Sequence, residues 1–411
     1  MWALKKAYYR TYQFILGLGM NFLPWIEPVI IDGPGSVKRL PAVIKKKGFT
    51  NVLVVTDPGL MGLHLLDSLF EALDSTGINY SLYDQVQPNP TIDNIEASLK
   101  IYTANNCQAI IAFGGGSPMD CSKATAARVA RPNRSVSQMR GLFKVIPPAV
   151  KMKSLLPPTL FAVPTTAGTG SETTAVAVVS DPRTHEKYAL TDSALRPRYA
   201  VLDPELTVGL PPHITSTTGI DALTHAVESY IGKFYNNTAT SIKALLAAEL
   251  IFNNIEKAYT NGKDLEARGQ MLLAAHYAGY SFTRGGVGYV HAIGHNLGGM
   301  YGVPHGLAMS VIMPYVLEWY GEAAHKPLAE FAEFVGVSKS GMSQAQKARA
   351  FIDAIKVLNS RLNIPEKIDC IKDEDIPTIA ERALFEANPT YPVPKIMNKE
   401  DLMAVIKSLK A

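Results

Sequence analysis

The sequence predicts an α/β domain built on a parallel sheet followed by an all-helical domain, and three observations carry that expectation. Short β-rich runs alternate with helical stretches from about residue 29 to residue 211, the pattern of strands joined by crossover helices. Pro211-Pro212 then marks a change of texture, beyond which apolar residues recur at helical spacing almost throughout. The 411-residue length is too great for one ordinary domain and comfortable for two. The expected organisation is an N-terminal extension over residues 1–28, an α/β domain over 29–211 and a helical domain over 212–411.

The elements follow in order. Residues 51–57 read as a buried strand, and Pro58 to about Ser75 as its helix. A second strand spans residues 80–83 and a second helix 92–104. A third strand at 109–113 is broken by Gly114-Gly115-Gly116 and leads into a helix from Pro118. β-rich runs at 160–163, 175–180 and 199–202 are candidates to extend the same sheet. Residues 131–158, rich in Pro, Lys and Arg, look like a surface excursion between two sheet elements. In the second half, residues 240–259 and 270–282 are long periodic helices.

Composition narrows the function classes. Hydrophobic residues make up 47% and charged residues 18%, as in a soluble globular protein. The net charge of +4 is small for this length, and no run of like charges suggests a nucleic-acid surface; Lys45-Lys46-Lys47 reads as a solvated helix end. Cys107, Cys121 and Cys370 are odd in number and form no CxxC pair, which argues against a disulfide framework and for a reducing cytoplasm. Residues 1–28 interleave Trp2, Tyr8, Tyr9, Phe14, Ile15, Leu18 and Phe22 with Lys5, Lys6 and Arg10. That stretch is too short and too broken to span a bilayer. It reads as a helix packed on its own protein or a sister subunit, in preference to one lying in a membrane interface.

In the first half, Gly114-Gly115-Gly116-Ser117 lies between a buried strand and a helix start. Glycines let backbone approach a pyrophosphate, and the helix N-terminus offers N–H groups and a positive dipole end. The GxGxxG fingerprint is absent, so the turn alone is equally a tight strand-to-helix connection. Asp57 ends an earlier strand, where a carboxylate can bind a ribose 2′-OH and would repel a 2′-phosphate; NAD is favoured over NADP. Thr165, Thr166, Thr169 and Ser171 add four hydroxyls in a glycine-containing loop after another strand.

In the second half, Asp221 and His225 stand at i and i+4, on one helical face. His291 and His295 repeat that spacing, and His305 follows a glycine- and proline-containing segment able to turn the chain back. One carboxylate and several imidazoles suit Fe(II) or Zn(II), with one nitrogen more than a four-coordinate site needs. HxxxH without an internal Glu is not a zincin motif.

Together these stretches resemble the iron-containing (group III) alcohol dehydrogenases, from about residue 29 to the C-terminal region. The resemblance rests on Thr56-Asp57, on Pro88-Asn89-Pro90-Thr91, on residues 114–120 and 164–172, on residues 218–225 and on His291 through Gly306. It implies a Rossmann-like parallel sheet and a helical domain, the architecture shared with dehydroquinate synthase. It also implies metal ligation by Asp221, His225, His291 and His305, with His295 beside the nicotinamide. Dinucleotide contacts fall on Asn89, Gly115, Gly116, Ser117, Asp120, Thr165, Thr166, Thr169 and Lys187, in addition to Asp57. The departures are the 1–28 extension, the long 131–158 excursion, and Leu307-Ala308-Met309-Ser310, which lacks the Asn often found two residues beyond Gly306.

The expected activity is therefore NAD- and metal-dependent interconversion of a primary, aliphatic alcohol and its aldehyde. The ion acts as Lewis acid on the oxygen, and His295 is the candidate proton relay. The alternatives are a glycerol-type polyol dehydrogenase and, in a different class, a nucleotide- or metal-binding scaffold without catalysis. A homodimer or larger homo-oligomer is the expected assembly.

Overall fold

The computed structural model describes residues 1–22, 25–142, 144–145, 156–183 and 186–411. It divides into two compact units, Pro24–Gly209 on the one hand and Met1–Leu23 with Leu210–Ala411 on the other. The first helix, α1 (Trp2–Met20), therefore belongs to the same unit as the helical half. Among the described residues no helix is long and apolar enough to cross a membrane.

The α/β unit runs β1 (Val29–Asp32), α2 (Leu40–Lys46), β2 (Asn51–Val55), α3 (Pro58–Gly62), α4 (Asp67–Thr76), β3 (Asn79–Tyr83), α5 (Ile92–Ala104), β4 (Ala109–Gly114) and α6 (Gly116–Ala130). It continues with β5 (Gly141–Leu142), β6 (Thr159–Pro164), β7 (Val176–Asp181), β8 (Glu186–Thr191) and β9 (Tyr199–Leu202). Six strands form one parallel sheet in the order β1-β9-β6-β4-β2-β3. Alternation along the strands feeds two cores. Leu53, Val55 and Ile110 pack under α5 and α6 with Ile95, Ala124 and Ala127. Val52, Val54, Ile111 and Phe113 pack under α2 and α4 with Leu40, Ile44, Leu69 and Leu73. Both faces being covered, β2 and β4 read as nearly continuous apolar runs.

Two expectations are corrected. The run at 175–180 does not extend the main sheet: β7 pairs antiparallel with β8, and β5 joins β8, in a separate three-stranded sheet. Its alternating burial already marks a sheet with one wet face. The single helix expected over 58–75 is two, α3 and α4, separated where His64 takes a left-handed φ of 57° just after Gly62. Of the 131–158 excursion, residues 143 and 146–155 lie outside the described residues.

The helical unit adds α7 (Pro212–Ile231), α8 (Thr238–Thr260), α9 (Leu265–Gly285), α10 (Tyr289–Tyr301), α11 (His305–Tyr320), α12 (Glu322–Phe334), α13 (Gln344–Arg361), α14 (Ile376–Ala387) and α15 (Lys399–Leu409). Reciprocal capping boxes start α8 (Asn237 with Thr240), α13 (Ser343 with Gln346) and α15 (Asn398 with Asp401), each satisfying two orphan N–H groups. α7 packs against α8, α9 and α11, and α10 against α11 and α14. α7 is thus the central helix, buried from Gly219 through Ser229.

α1 departs from the usual amphipathic rule. Its inward face is polar: Gln13 is fully buried, donating to the carbonyls of Pro389 and Tyr391, and Arg10 donates to those of Val393 and Pro394. Arg284 on α9 closes the far end by donating to the Met20 carbonyl. Leu4, Tyr8, Phe14, Ile15 and Leu18 face outward, while Tyr9, Tyr12 and Leu16 are half-buried.

Candidate functional site

Asp221, His225 and Glu228 occur at i, i+4 and i+7 of α7, one stripe of a helix buried on nearly all sides. α10 brings His291 to that stripe and α11 begins at His305. Gly306 allows the approach, since a Cβ there would lie 2.6 Å from the Thr217 carbonyl oxygen of α7. The ligand-type atoms of Asp221, His225, His291 and His305 all lie within 4.8 Å of one another. From Asp221 Oδ1, His305 Nε2 is 3.3 Å away, and His225 Nδ1 and His291 Nε2 are each 3.9 Å away.

These residues fit a metal ion. Four donors each ~2.1 Å from a common ion stand about 3.4 Å apart in a tetrahedron, close to the spacing found. Asp221 Oδ1, His225 Nδ1 and His291 Nε2 are buried without a hydrogen-bond partner. A buried polar atom left unsatisfied costs about 1–3 kcal/mol, so three converging on one point call for a partner at that point. Burial pushes the His225 imidazole down to about 3, and holds His291 well below the ordinary imidazole value. Both therefore offer lone pairs at neutral pH. Burial pushes the Asp221 carboxyl up, but the imidazoles of His225, His305 and His291 outweigh it and hold it below the usual carboxylate range.

Glu228, which the sequence reading did not single out, completes the arrangement. It is buried, and its carboxylate lies 2.6 Å from His291 Nδ1 while accepting from the backbone N–H groups of Gly288 and Val290 at 2.8 and 2.7 Å. With Nδ1–H directed to Glu228, His291 Nε2 is left as the free acceptor. Burial pushes the Glu228 carboxyl up to about 7, against the lowering effect of those N–H donors. The signal that could have found Glu228 is its i+7 spacing from Asp221.

His295 stands beside this cluster and outside the four-residue set. Its ring stacks on His305 at 5.4 Å and meets His291 edge-on at 5.7 Å. Its Nδ1 is 2.7 Å from Glu386 of α14, whose same oxygen accepts from the Tyr391 hydroxyl at 2.8 Å. The side chain is 43% exposed. Glu386 too was missed, because it lies 91 residues from its partner.

In the α/β unit, β3 lies on one side of β2 and β4 on the other. The connection reverses direction there, and ligands of open α/β sheets bind outside the carboxyl ends of the strands at such a point. Thr56-Asp57 follows β2, and Gly115 caps α6 directly after β4. Gly114, at φ 140°, turns the chain where a Cβ would lie 2.7 Å from Pro118. Thr166 lies against Gly115 and Thr169 against Gly116, so the hydroxyl loop covers the start of α6. Thr165 is buried, its N–H donating to the Gly114 carbonyl.

Three further candidates converge. The Asn89 N–H donates to Ser117 Oγ at 3.1 Å, and Lys187 Nζ donates to Asn89 Oδ1 at 3.0 Å. Two are engaged structurally. Asp57 caps α3 by accepting from the Leu60 N–H. Asp120 accepts from the Ser171 hydroxyl and the Val178 N–H, bracing the loop and β7 against α6. Lys123, also unforeseen, is buried and donates to Ser171 Oγ, Thr174 Oγ1 and the Val176 carbonyl. Burial pushes its ammonium down to about 8, opposed by Asp120 and Glu172.

Comparison with known proteins places both halves. Residues 28–204 match the family model of the iron-containing alcohol dehydrogenases, and residues 215–410 match its C-terminal counterpart. Alcohol dehydrogenase 4 of Saccharomyces cerevisiae is 36% identical over 388 residues, 93% of this chain and 97% of the yeast protein. The NAD-dependent methanol dehydrogenase of Bacillus methanolicus is 34% identical, over 93% and 98% of the two chains. A solved 1,3-propanediol oxidoreductase superposes with a TM-score of 0.88 at 33% identity, covering 94% of this chain and all of that one. The chain belongs to the iron-containing alcohol dehydrogenase family and is an oxidoreductase of alcohols and aldehydes.

Proposed function

We propose that the chain is an NAD-dependent, divalent-metal-dependent alcohol dehydrogenase that interconverts a primary aliphatic alcohol and its aldehyde. The observation that carries this reading is the buried, unpartnered convergence of Asp221 Oδ1, His225 Nδ1 and His291 Nε2, with His305 alongside. These four residues would hold one Fe(II), with Zn(II) as the alternative ion. When bound, the metal supplies Lewis acidity at the substrate oxygen.

The chain's own residues do the rest. Asp221 provides the single negative charge of the set, and burial keeps His225 and His291 neutral, so the ligands do not compete for protons. Glu228 fixes the His291 tautomer. His295 is proposed to take the alcohol proton at Nε2 during oxidation and return it during reduction, with Glu386 holding Nδ1. Gly115, Gly116 and Ser117 offer the N-terminus of α6 to the cofactor diphosphate. Thr165, Thr166 and Thr169 supply hydroxyls, and Asn89 and Lys187 stand by Ser117. Asp57, in the turn after β2, favours a free ribose 2′-OH and hence NAD over NADP. Asp120 acts through the loop it braces.

The test is a panel of aliphatic aldehydes with NADH or NADPH, after the apoprotein is loaded anaerobically with Fe(II) or Zn(II). Turnover with NADH and one of the metals is expected, and its loss in His225→Ala. Silence across the panel with both metals would refute the enzymatic reading.

A further inference from the structure

α1 and the turn that follows it expose a stripe of apolar side chains. Leu4, Tyr8, Ile15, Leu18 and Phe22 are 49–89% exposed, and with Thr11 they complete the series 4, 8, 11, 15, 18, 22. Steps of four and three, repeated over more than two heptads, are the a/d seam of a helix that packs along another helix. The opposite face is committed to the chain's own backbone through Arg10 and Gln13. Phe14, beside the seam, meets Phe234 edge-on at 6.0 Å. The match to the family model begins at residue 28, beyond this face.

We propose that the stripe is an interface with a second copy of this chain, in which two α1 helices pack antiparallel about a two-fold axis. The sequence is self-complementary in that register. Leu4 would meet the partner's Phe22, Tyr8 the partner's Leu18, and Thr11 the partner's Ile15, each layer joining a d position to an a position. The antiparallel sense also places Lys5 at the far end from the partner's Lys5. No acid or base occurs between Arg10 and Phe22 to interrupt the seam.

The area is sufficient. Side chains of these sizes and exposures present roughly 700 Å² per chain, so a pair would bury up to about 1,400 Å², within the ~1,200–2,000 Å² of stable specific interfaces. A lipid surface is the less favoured occupant. An interfacial helix carries its cationic face at the membrane surface, whereas Arg10 is turned into the protein and only Lys5 and Lys6 remain exposed on α1.

Crosslinking in a Cys370→Ser background, which removes the one exposed thiol, tests the register. A Thr11→Cys copy mixed with an Ile15→Cys copy should crosslink on mild oxidation. Two Leu4→Cys copies should not, because eighteen residues of helix rise put their thiols about 27 Å apart. In parallel, Ile15→Glu/Leu18→Glu should halve the mass measured by light scattering, leaving turnover and the circular dichroism spectrum unchanged. Absence of the 11–15 crosslink, or a mass unaffected by the two glutamates, overturns the proposal. So does a variant that keeps its mass yet loses sedimentation with anionic phosphatidylserine vesicles, which would assign the stripe to lipid.

Discussion

At the scale of single residues, the proposed metal set depends on a carboxylate outside the four candidate ligands. Glu228 holds His291 Nδ1 and two backbone N–H groups in a buried environment. Carboxylates that orient a ligating imidazole are commonly worth about 10–100-fold in metal affinity. Glu228→Gln, with one acceptor oxygen in place of two, should weaken affinity by roughly that factor, read by competition with a chromogenic chelator. Unchanged affinity would separate Glu228 from the site. Glu386→Gln is expected to act differently, because Glu386 holds His295 and none of the four candidate ligands. Metal content should be retained while kcat falls more than KM rises, measured under steady state at saturating cofactor.

At the scale of elements, close approaches and ties set the geometry. Gly306→Ala would drive a methyl into the Thr217 carbonyl, pushing the first turn of α11, and His305 with it, away from α7. Metal affinity should drop well before the fold does, a split visible by pairing metal analysis with thermal melting of the apoprotein. In the α/β unit Lys123 ties together the loop that carries the threonines. Lys123→Met leaves Ser171 and Thr174 without their donor, a loss of about 1–3 kcal/mol per stranded group. Faster hydrogen exchange across residues 165–176 and a higher KM for the dinucleotide are expected.

Elements also show what could be read from the sequence. The parallel sheet was legible because β2 and β4 carry unbroken apolar runs, and Gly114-Gly115-Gly116 marks the end of β4. Asp221 and His225 were legible as a pair because one helix turn brings them together. Residue types alone left His291, His295 and His305 undivided; resemblance separated them, and in the folded chain His295 instead pairs with Glu386. Glu228, Glu386 and Lys123 escaped because their partners lie 63, 91 and 48 or more residues away. Local spacing rules see only one helical turn. The second sheet escaped because β7 and β8 are ordinary alternating strands, and pairing partners are set by tertiary contacts. α1 was legible as a helix, but which face turned inward depended on carbonyls of residues 389–394.

At the scale of the whole molecule, the central claim is that α7, α10 and α11 are packed to place one divalent ion among Asp221, His225, His291 and His305. An ion bound only by the folded state stabilises it by mass action, about 4 kcal/mol at a free concentration a thousand times Kd. Exhaustive chelation should therefore lower the melting temperature, and readdition of Fe(II) or Zn(II) should restore it. The most direct measurement is metal content with X-ray absorption at the metal edge, on protein purified without oxygen, beside the Asp221→Asn/His225→Ala variant. One ion per chain with three imidazole nitrogens and a carboxylate oxygen in its shell, lost in the variant, is the predicted result. A variant that retains a full complement of metal in an unchanged shell would contradict it.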